Sequence, residues 1–206
     1  MATSPFFTPD ELALLSDQDF FRKKAEISVK IKQVLEHLHD RLEAEIGYHH
    51  LLAPEGFDPQ ASQFVKGEHL ENFPYQYVDF PRFYTRENKF AFRSLIWWGH
   101  HMVFALIVEG PLVKQYRRNL FNRYPEVADH HLCLCLSPSL WEWKMGPGLT
   151  LPITHGRRSE IAATLDHRTF FKIARFLPMH DPAVKTGTIV DEGLKTFQAI
   201  LPVITA

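Results

Sequence analysis

Histidine pairs are the first residues of this sequence that could carry chemistry. Six of its twelve histidines form the adjacent pairs His49-His50, His100-His101 and His130-His131. An imidazole changes charge near neutral pH, so a histidine can act as a general base, a proton shuttle or a donor to an anion. His100 and His101 follow two tryptophans at the predicted turn between two apolar strands. We therefore take this pair as the first candidate for a binding site, with ordinary polar turn residues as the alternative.

Charged and aromatic residues near this turn could complete a cleft. Arg93 lies on the strand before the turn, and Trp141 and Trp143 lie on a later predicted strand. An arginine, a histidine and an aromatic wall suit a small anionic or planar ligand. Arg157 and Arg158 precede a predicted helix, where guanidinium groups and backbone amides could bind a phosphate or carboxylate. The leading hypothesis is that the protein binds a small anionic molecule in an aromatic-lined cleft.

The run HHLCLCL, residues 130–136, is the candidate metal motif. On a strand, His131, Cys133 and Cys135 would share one face and offer an imidazole and two sulfurs. Neighbours on one face are nevertheless too far apart and too parallel to surround a zinc ion, and no second pair of ligands completes the set. The same spacing disfavours a disulfide. We expect free cysteines in a reducing compartment, with no metal and no cofactor.

Two other functions stay open. A hydrolase- or transferase-type enzyme could use His100 or His131 as its base, with or without a metal, although the chain contains no GxSxG, HExxH or P-loop pattern. A self-association or partner-binding protein, including a homodimer, would instead show an exposed apolar patch. Light scattering would separate a monomer from such a dimer.

Composition limits these choices. The chain has 206 residues, 45% of them apolar, which predicts a single domain over 1–206 and excludes intrinsic disorder. Its 23 basic and 24 acidic side chains lack the basic excess of a nucleic-acid-binding module. No apolar run is long enough for a membrane span, and the first residues do not resemble a secretory signal. We therefore expect a cytoplasmic protein without membrane or nucleic-acid partners.

The predicted helices and strands that position these residues begin in the first half of the chain. The Thr8-Pro9-Asp10-Glu11 start predicts a short helix to Leu15, and helical spacing predicts a long amphipathic helix from Asp19 that stops at Gly47. Residues 48–88 have no sustained period, so we expect a long connection with a strand near 75–80. Residues 89–97 and 102–108 then read as a β-hairpin.

The second half continues this alternation. A helix is predicted from Pro111 to Val127, followed by a second hairpin formed by residues 131–136 and 140–145. Further helices are predicted from Asp166 to Pro178 and from Asp191 to Pro202. This order predicts an α+β fold in which helices cover an antiparallel sheet of about four to six strands.

The Phe7-Thr8 helix start, the long second helix and the run FRSLIWWGHHMVFALIVEG are similar to the YktB-like family of uncharacterised bacterial proteins. The resemblance covers about the first 50 residues and residues 89–121. It implies an α+β fold in which a sheet carries helices. It implies no activity, since that family has no established function, and no functional residue is carried over.

Overall fold

The computed structural model of the protein describes residues 6–206, and the first two elements of this part are helices. Helix α1 spans Pro9–Leu15, where Thr8 and Glu11 form a capping box. Helix α2 spans Gln18–Ile46, with Asp17 accepting a hydrogen bond from the Phe20 amide at its start and Gly47 at its end. Both helices confirm the prediction from capping residues and apolar spacing.

The strands form one antiparallel sheet in the order β1-β2-β3-β4-β7-β5-β6. This confirms the predicted α+β class, with seven strands in the described chain instead of four to six. Their bounds are β1 Gln63–Leu70, β2 Phe73–Tyr84, β3 Lys89–Trp97, β4 His101–Glu109, β5 Cys133–Cys135, β6 Thr150–Pro152 and β7 Phe170–Pro178.

Further helices connect or follow these strands. They are α3 Val113–Asn122, α4 Tyr124–Val127, α5 Arg158–Leu165 after a single 3-10 turn, α6 Pro182–Thr186 and α7 Ile189–Ile204. Helices α2 and α7 cover one face of the sheet, where Phe92 and Phe104 join Leu38 and Phe197 in the main core. None of the described helices is long and apolar enough to cross a membrane.

The opposite face of the sheet is covered by residues 136–149, which we call the covering segment. Leu140 and Trp143 of this segment pack on Leu95, Trp97 and Val103 of the sheet. The segment has no regular strand or helix, so the predicted strand over 140–145 is wrong. Trp141 is 46% exposed and Trp143 only 3%, so the two indoles do not share one environment.

Strand β7 corrects the predicted helix from Asp166 to Pro178. Its central position explains the error, because β7 pairs with β4 on one side and β5 on the other. Residues 171–174 are all buried, so the strand shows no clean alternation of apolar and polar residues. A short buried run of this kind fits helical and strand periods equally well.

Three smaller boundaries also differ from prediction. Residues 48–88 contain the two long strands β1 and β2, not one short strand. The helix after Pro111 breaks at Arg123, just before Pro125. Helix α7 continues through Pro202 to Ile204.

Candidate ligand-binding cleft

Arg93 and Asp79 form a buried ion pair on the face of the covering segment. They are direct partners in the β2–β3 register. The guanidinium donates from Nε to Asp79 Oδ1 and from Nη2 to Oδ2, both at 2.7 Å, and Tyr84 donates its hydroxyl to Oδ2 at 3.0 Å. Burial opposes the charged form of Arg93, but these hydrogen bonds outweigh it and raise its pKa. The Arg93 charge is therefore already matched within the protein.

Aromatic rings enclose this pair. The guanidinium carbon of Arg93 lies 3.7 Å from the ring centroid of Tyr77 and 5.2 to 5.3 Å from those of Trp143 and Trp141. The structure thus brings together Arg93 and both tryptophans of the predicted cleft. Arg93 is only 7% exposed and Asp79 is fully buried, so the rings surround a protein cation where a ligand was expected.

The two histidines of the hairpin turn have different surroundings. His101 is buried, and its Nε2 lies 2.8 Å from the Trp143 carbonyl oxygen. Burial lowers the pKa of His101, so the neutral ring donates to this carbonyl. His100 stacks on Trp97 with a 3.7 Å centroid distance. His101 thus anchors the covering segment, while His100 extends the aromatic surface at the turn.

Arg157 and Arg158 lie apart from that cluster. Arg158 begins α5, donates to the Phe121 carbonyl oxygen at 2.9 Å and lies over the Tyr124 ring. Arg157 is exposed at the preceding turn. The seven predicted ligand residues therefore occupy separate regions of the molecule.

A cleft separate from the aromatic cluster opens on the helical side of the sheet. Its volume is about 530 Å³, and most of its walls are polar. The lining residues come from α4, the loop before β5, β7 and α7: Glu126, Asp129, His130, His131, Arg175, Glu192, Lys195, Gln198 and Ala199. We call this the α7 cleft.

Sheet pairing explains why the α7 cleft exists. Strand β5 pairs with β7 only at Cys133–Ala174 and Leu134–Ile173. Beyond these pairs the chain before β5 leaves the sheet, so the next position of β7, Arg175, has no strand beside it on that side. The departing loop and α7 enclose the gap.

Charges inside the α7 cleft are unevenly matched. Arg175 and Lys195 both contact the carboxylate of Glu192, with Lys195 Nζ 2.9 Å from Oε1. Burial favours the neutral form of Glu192, but the hydrogen bonds from the two cations outweigh it and lower its pKa. The Arg175 Nε is buried and has no hydrogen-bond partner among the described residues. Two cations therefore share the Glu192 carboxylate, and the Nε–H of Arg175 has no acceptor among the described residues.

The loop before β5 has an uncommon backbone. Asp129 and His131 have φ angles of 64° and 57°, two of the four positive φ values at non-glycine residues in the described chain. Such conformations are sparsely populated and tend to cluster at functional sites. Asp129 also accepts a hydrogen bond from His155, which lowers the pKa of the Asp129 carboxyl. This loop therefore presents two exposed histidines and an aspartate at the cleft.

The side chains of the HHLCLCL run are not gathered into a set of metal ligands in the described structure. Across residues 6–206, no three histidine, cysteine or acidic side chains are placed to share a metal ion. Both cysteines are free thiols. Burial raises the pKa of Cys133 and raises that of Cys135 to about 11, which keeps both thiols protonated at neutral pH.

Comparison of the chain with protein-family models, curated proteins and solved structures finds no match. Function must therefore be inferred from the residues of the α7 cleft and their geometry. Sequence reasoning missed this cleft because Arg175 was placed on a predicted helix. The one signal in the sequence is His131, which is predicted above as a candidate metal ligand or base.

Proposed function

We propose that the protein binds a small molecule carrying a carboxylate or phosphate group in the α7 cleft. The observation that supports this most is Arg175, whose guanidinium shares its only described carboxylate partner, Glu192, with Lys195. An anionic group of the ligand would accept hydrogen bonds from Lys195 and from the unpartnered Nε of Arg175. Arginine suits this task because its planar group can donate two parallel hydrogen bonds to a carboxylate or phosphate.

The rest of the lining favours a small polar ligand. A volume of about 530 Å³ is typical of sites for small molecules. His130 and His131 are exposed on the wall formed by the loop before β5, where a ring N–H of each can donate to an anion. Glu126 on α4 could in turn accept from a hydroxyl or amine of the ligand.

This proposal keeps the ligand class of the sequence hypothesis and moves the site. In the aromatic cluster, Arg93 is already paired with Asp79 in a bidentate arrangement and is almost fully buried. An anion there would have to displace a buried carboxylate. In the α7 cleft, the cations border open space.

The test is a binding screen with inorganic phosphate, acetate, succinate and citrate, using thermal unfolding and calorimetry. A ligand at one hundred times its Kd should stabilise the fold by about 2.7 kcal/mol. For a chain of this size, that corresponds to a rise in Tm of roughly 5 to 10 °C.

The matched variants use two exposed lysines. Lys195→Gln should weaken binding at least tenfold, whereas Lys185→Gln on α6, outside the cleft, should bind like the wild type. Absence of a response to all four anions, or equal affinity of both variants, would contradict the proposal.

The Asp129–His155 pair favours a second candidate, a hydrolase- or transferase-type enzyme. The pair leaves His155 Nε2 without a hydrogen-bond partner among the described residues, as an oriented general base requires. His155 contacts the cleft residue Asp129 but does not itself line the α7 cleft, so its substrate would be an ester or phosphoester that extends beyond the cleft. His155→Gln should abolish the turnover of such a substrate and preserve its affinity. Unchanged turnover in this variant would eliminate His155 as the base.

A further inference from the structure

Exposed apolar side chains are concentrated at the start of the described chain. Of the fourteen large hydrophobic residues exposed in the described part of the protein, nine lie within residues 6–29. Helix α1 buries none of its residues. Single exposed hydrophobics are ordinary, but a local concentration marks an interaction surface. The nine are Phe6, Phe7, Leu12, Leu14, Leu15, Phe20, Phe21, Ile27 and Val29.

The buried stripe of α2 continues into this region. Towards the N-terminus, the core positions Leu38 and Leu35 are followed at helical spacing by Ile31, Ile27 and Phe20. Ile27 is 45% exposed and Phe20 49% exposed. The first ten residues of α2, about 15 Å of helix, contain no buried residue. We call residues 6–27 the arm.

An apolar groove lies beside the base of the arm. It has a volume of about 330 Å³ and is lined mainly by aliphatic, methionine and tryptophan side chains. Lys30 is its only charged lining residue, and the buried Nε1 of Trp98 has no hydrogen-bond partner in residues 6–206. A short helix with an apolar face and acidic side chains would match this groove.

The arm itself supplies such a helix. Residues 10–19 carry four acidic side chains and no basic one: Asp10, Glu11, Asp17 and Asp19. Residues 22–32 carry five basic side chains and one acidic one: Arg22, Lys23, Lys24, Lys30, Lys32 and Glu26. A second copy of this chain, running antiparallel, would place opposite charges together. The acidic charges of α1 would instead be repelled by an anionic membrane.

We propose that the protein forms a two-fold symmetric homodimer through these arms. Helix α1 of each copy packs into the apolar groove of the other, with Leu12 and Leu15 against Trp98 and with Glu11, at the edge of the same helix face, beside Lys30. The contact is isologous, because each copy contributes the same helix and the same groove. The same contact covers Leu12 and Leu15 of α1 and the exposed residues of the α2 stripe.

The first test measures the mass of the full chain in solution by light scattering over a range of concentrations. We expect twice the 24.0 kDa of one chain. Leu12→Asp with Leu15→Asp should reduce the mass to that of one chain. The variant should keep the wild-type circular dichroism, because α1 contributes nothing to the core. Met145→Asp is the matched control: Met145 is 47% exposed, close to the 49% of Leu12, and lies in the covering segment on the other face of the sheet.

The second test exchanges charges. Lys30→Glu should weaken dimerisation at least tenfold, and Lys30→Glu combined with Glu11→Lys should restore it. A wild-type chain that is monomeric at all concentrations, or a dimer that survives the double leucine change, would overturn the proposal. Sedimentation of a monomeric wild type with phosphatidylcholine–phosphatidylglycerol vesicles would also overturn it and assign the arm to a membrane surface.

Discussion

Lys172 is a buried cation held by main-chain oxygens. Its Nζ donates to the carbonyl oxygens of Leu140, at 2.9 Å, and Glu142, and lies 3.9 Å from the ring centroid of Trp143. The side chain is 2% exposed. Burial lowers the pKa of Lys172 to about 8, because the ammonium loses water that two carbonyls and a ring replace only in part.

This shift predicts a pH dependence of stability. The pKa of Lys172 is about 8 in the folded protein and about 10.4 when unfolded, so the unfolded chain binds more protons between these values. The contribution of Lys172 to the free energy of unfolding should therefore increase from about pH 8 towards pH 10, by at most about 1.4 kcal/mol per pH unit.

Urea unfolding at pH 7.5, 8.5 and 9.5 measures this effect. The free energy of unfolding should rise less steeply with pH for Lys172→Met than for the wild type. Lys114→Met, at an exposed position, should keep the wild-type slope; equal slopes for both variants would contradict the assignment.

Lys172 and Arg175 also show why the sequence missed the α7 cleft. On a helix, residues three apart share a side, so the predicted helix placed both cations together. On strand β7 they point to opposite faces. Lys172 reaches the covering segment, and Arg175 reaches Glu192 on α7. The wrongly predicted helix thus grouped two charges that the strand separates, and this error hid the site.

The residues of the aromatic cluster were easier to predict than Asp79, the carboxylate that pairs with Arg93. Arg93 lies on β3, whose apolar pattern identified it correctly, and the tryptophans were evident from composition. Asp79 lies on the strand predicted near residues 75–80, but no sequence pattern pairs that strand with the one that carries Arg93. Its pairing with Arg93 depends on the β2–β3 register, which changes just after Asp79 at an irregularity that no sequence pattern shows.

At the scale of elements, helices with one buried face were the most predictable. The stripe and caps of α2 gave its bounds almost to the residue. The covering segment was the least predictable, because it is held by long-range bonds to its backbone instead of by repeating pairs. Arg168, Lys172 and His101 donate to carbonyl oxygens between residues 135 and 143. The local sequence of the segment does not contain these donors.

Arg168 provides a test of this anchoring. It donates to the carbonyls of Cys135, Leu136 and Ser137 at 3.2, 2.6 and 3.4 Å. Arg168→Ala should destabilise the covering segment locally by roughly 1 to 3 kcal/mol, which corresponds to amide exchange about 5- to 150-fold faster.

Hydrogen exchange read by mass spectrometry separates this local effect from global unfolding. Peptides from residues 137–149 should exchange faster in Arg168→Ala, while peptides from β3 and β4 should not change. Arg157→Ala, at an exposed arginine in the turn before α5, should match the wild type throughout. Uniform acceleration across the sheet would show that the segment unfolds only together with the rest of the protein.

At the scale of the whole molecule, α7 connects the layers. It contacts α2, α3, α4 and strand β4 and buries ten of its sixteen residues. Asn119 of α3 donates to the carbonyls of Val203, at the end of α7, and Thr205, which follows it. The same helix supplies Glu192 and Lys195 to the cleft, so the rigidity of the core fixes the position of the proposed ligand site.

Gly193 tests how tightly these layers meet. A Cβ atom at this position would lie 2.9 Å from the methyl carbons of Leu38 on α2 and from the Phe104 ring on β4. Both neighbours are almost fully buried, so they have little room to move. Gly193→Ala gains about 1 kcal/mol of helix propensity, but overpacking between two layers costs roughly 1 to 3 kcal/mol. We expect net destabilisation of about 1 kcal/mol in urea unfolding.

Gly156→Ala is the matched control for this change. No atom lies within 4 Å of the Cβ it would add. Its free energy of unfolding should therefore stay within about 0.5 kcal/mol of the wild type. If Gly193→Ala were instead more stable by the full propensity gain, α2 and the sheet would have to separate easily around α7. The packing of α7 would then not determine the geometry of the cleft. The orientation of Glu192 and Lys195 would depend only on the ion pairs that Glu192 forms with Arg175 and Lys195.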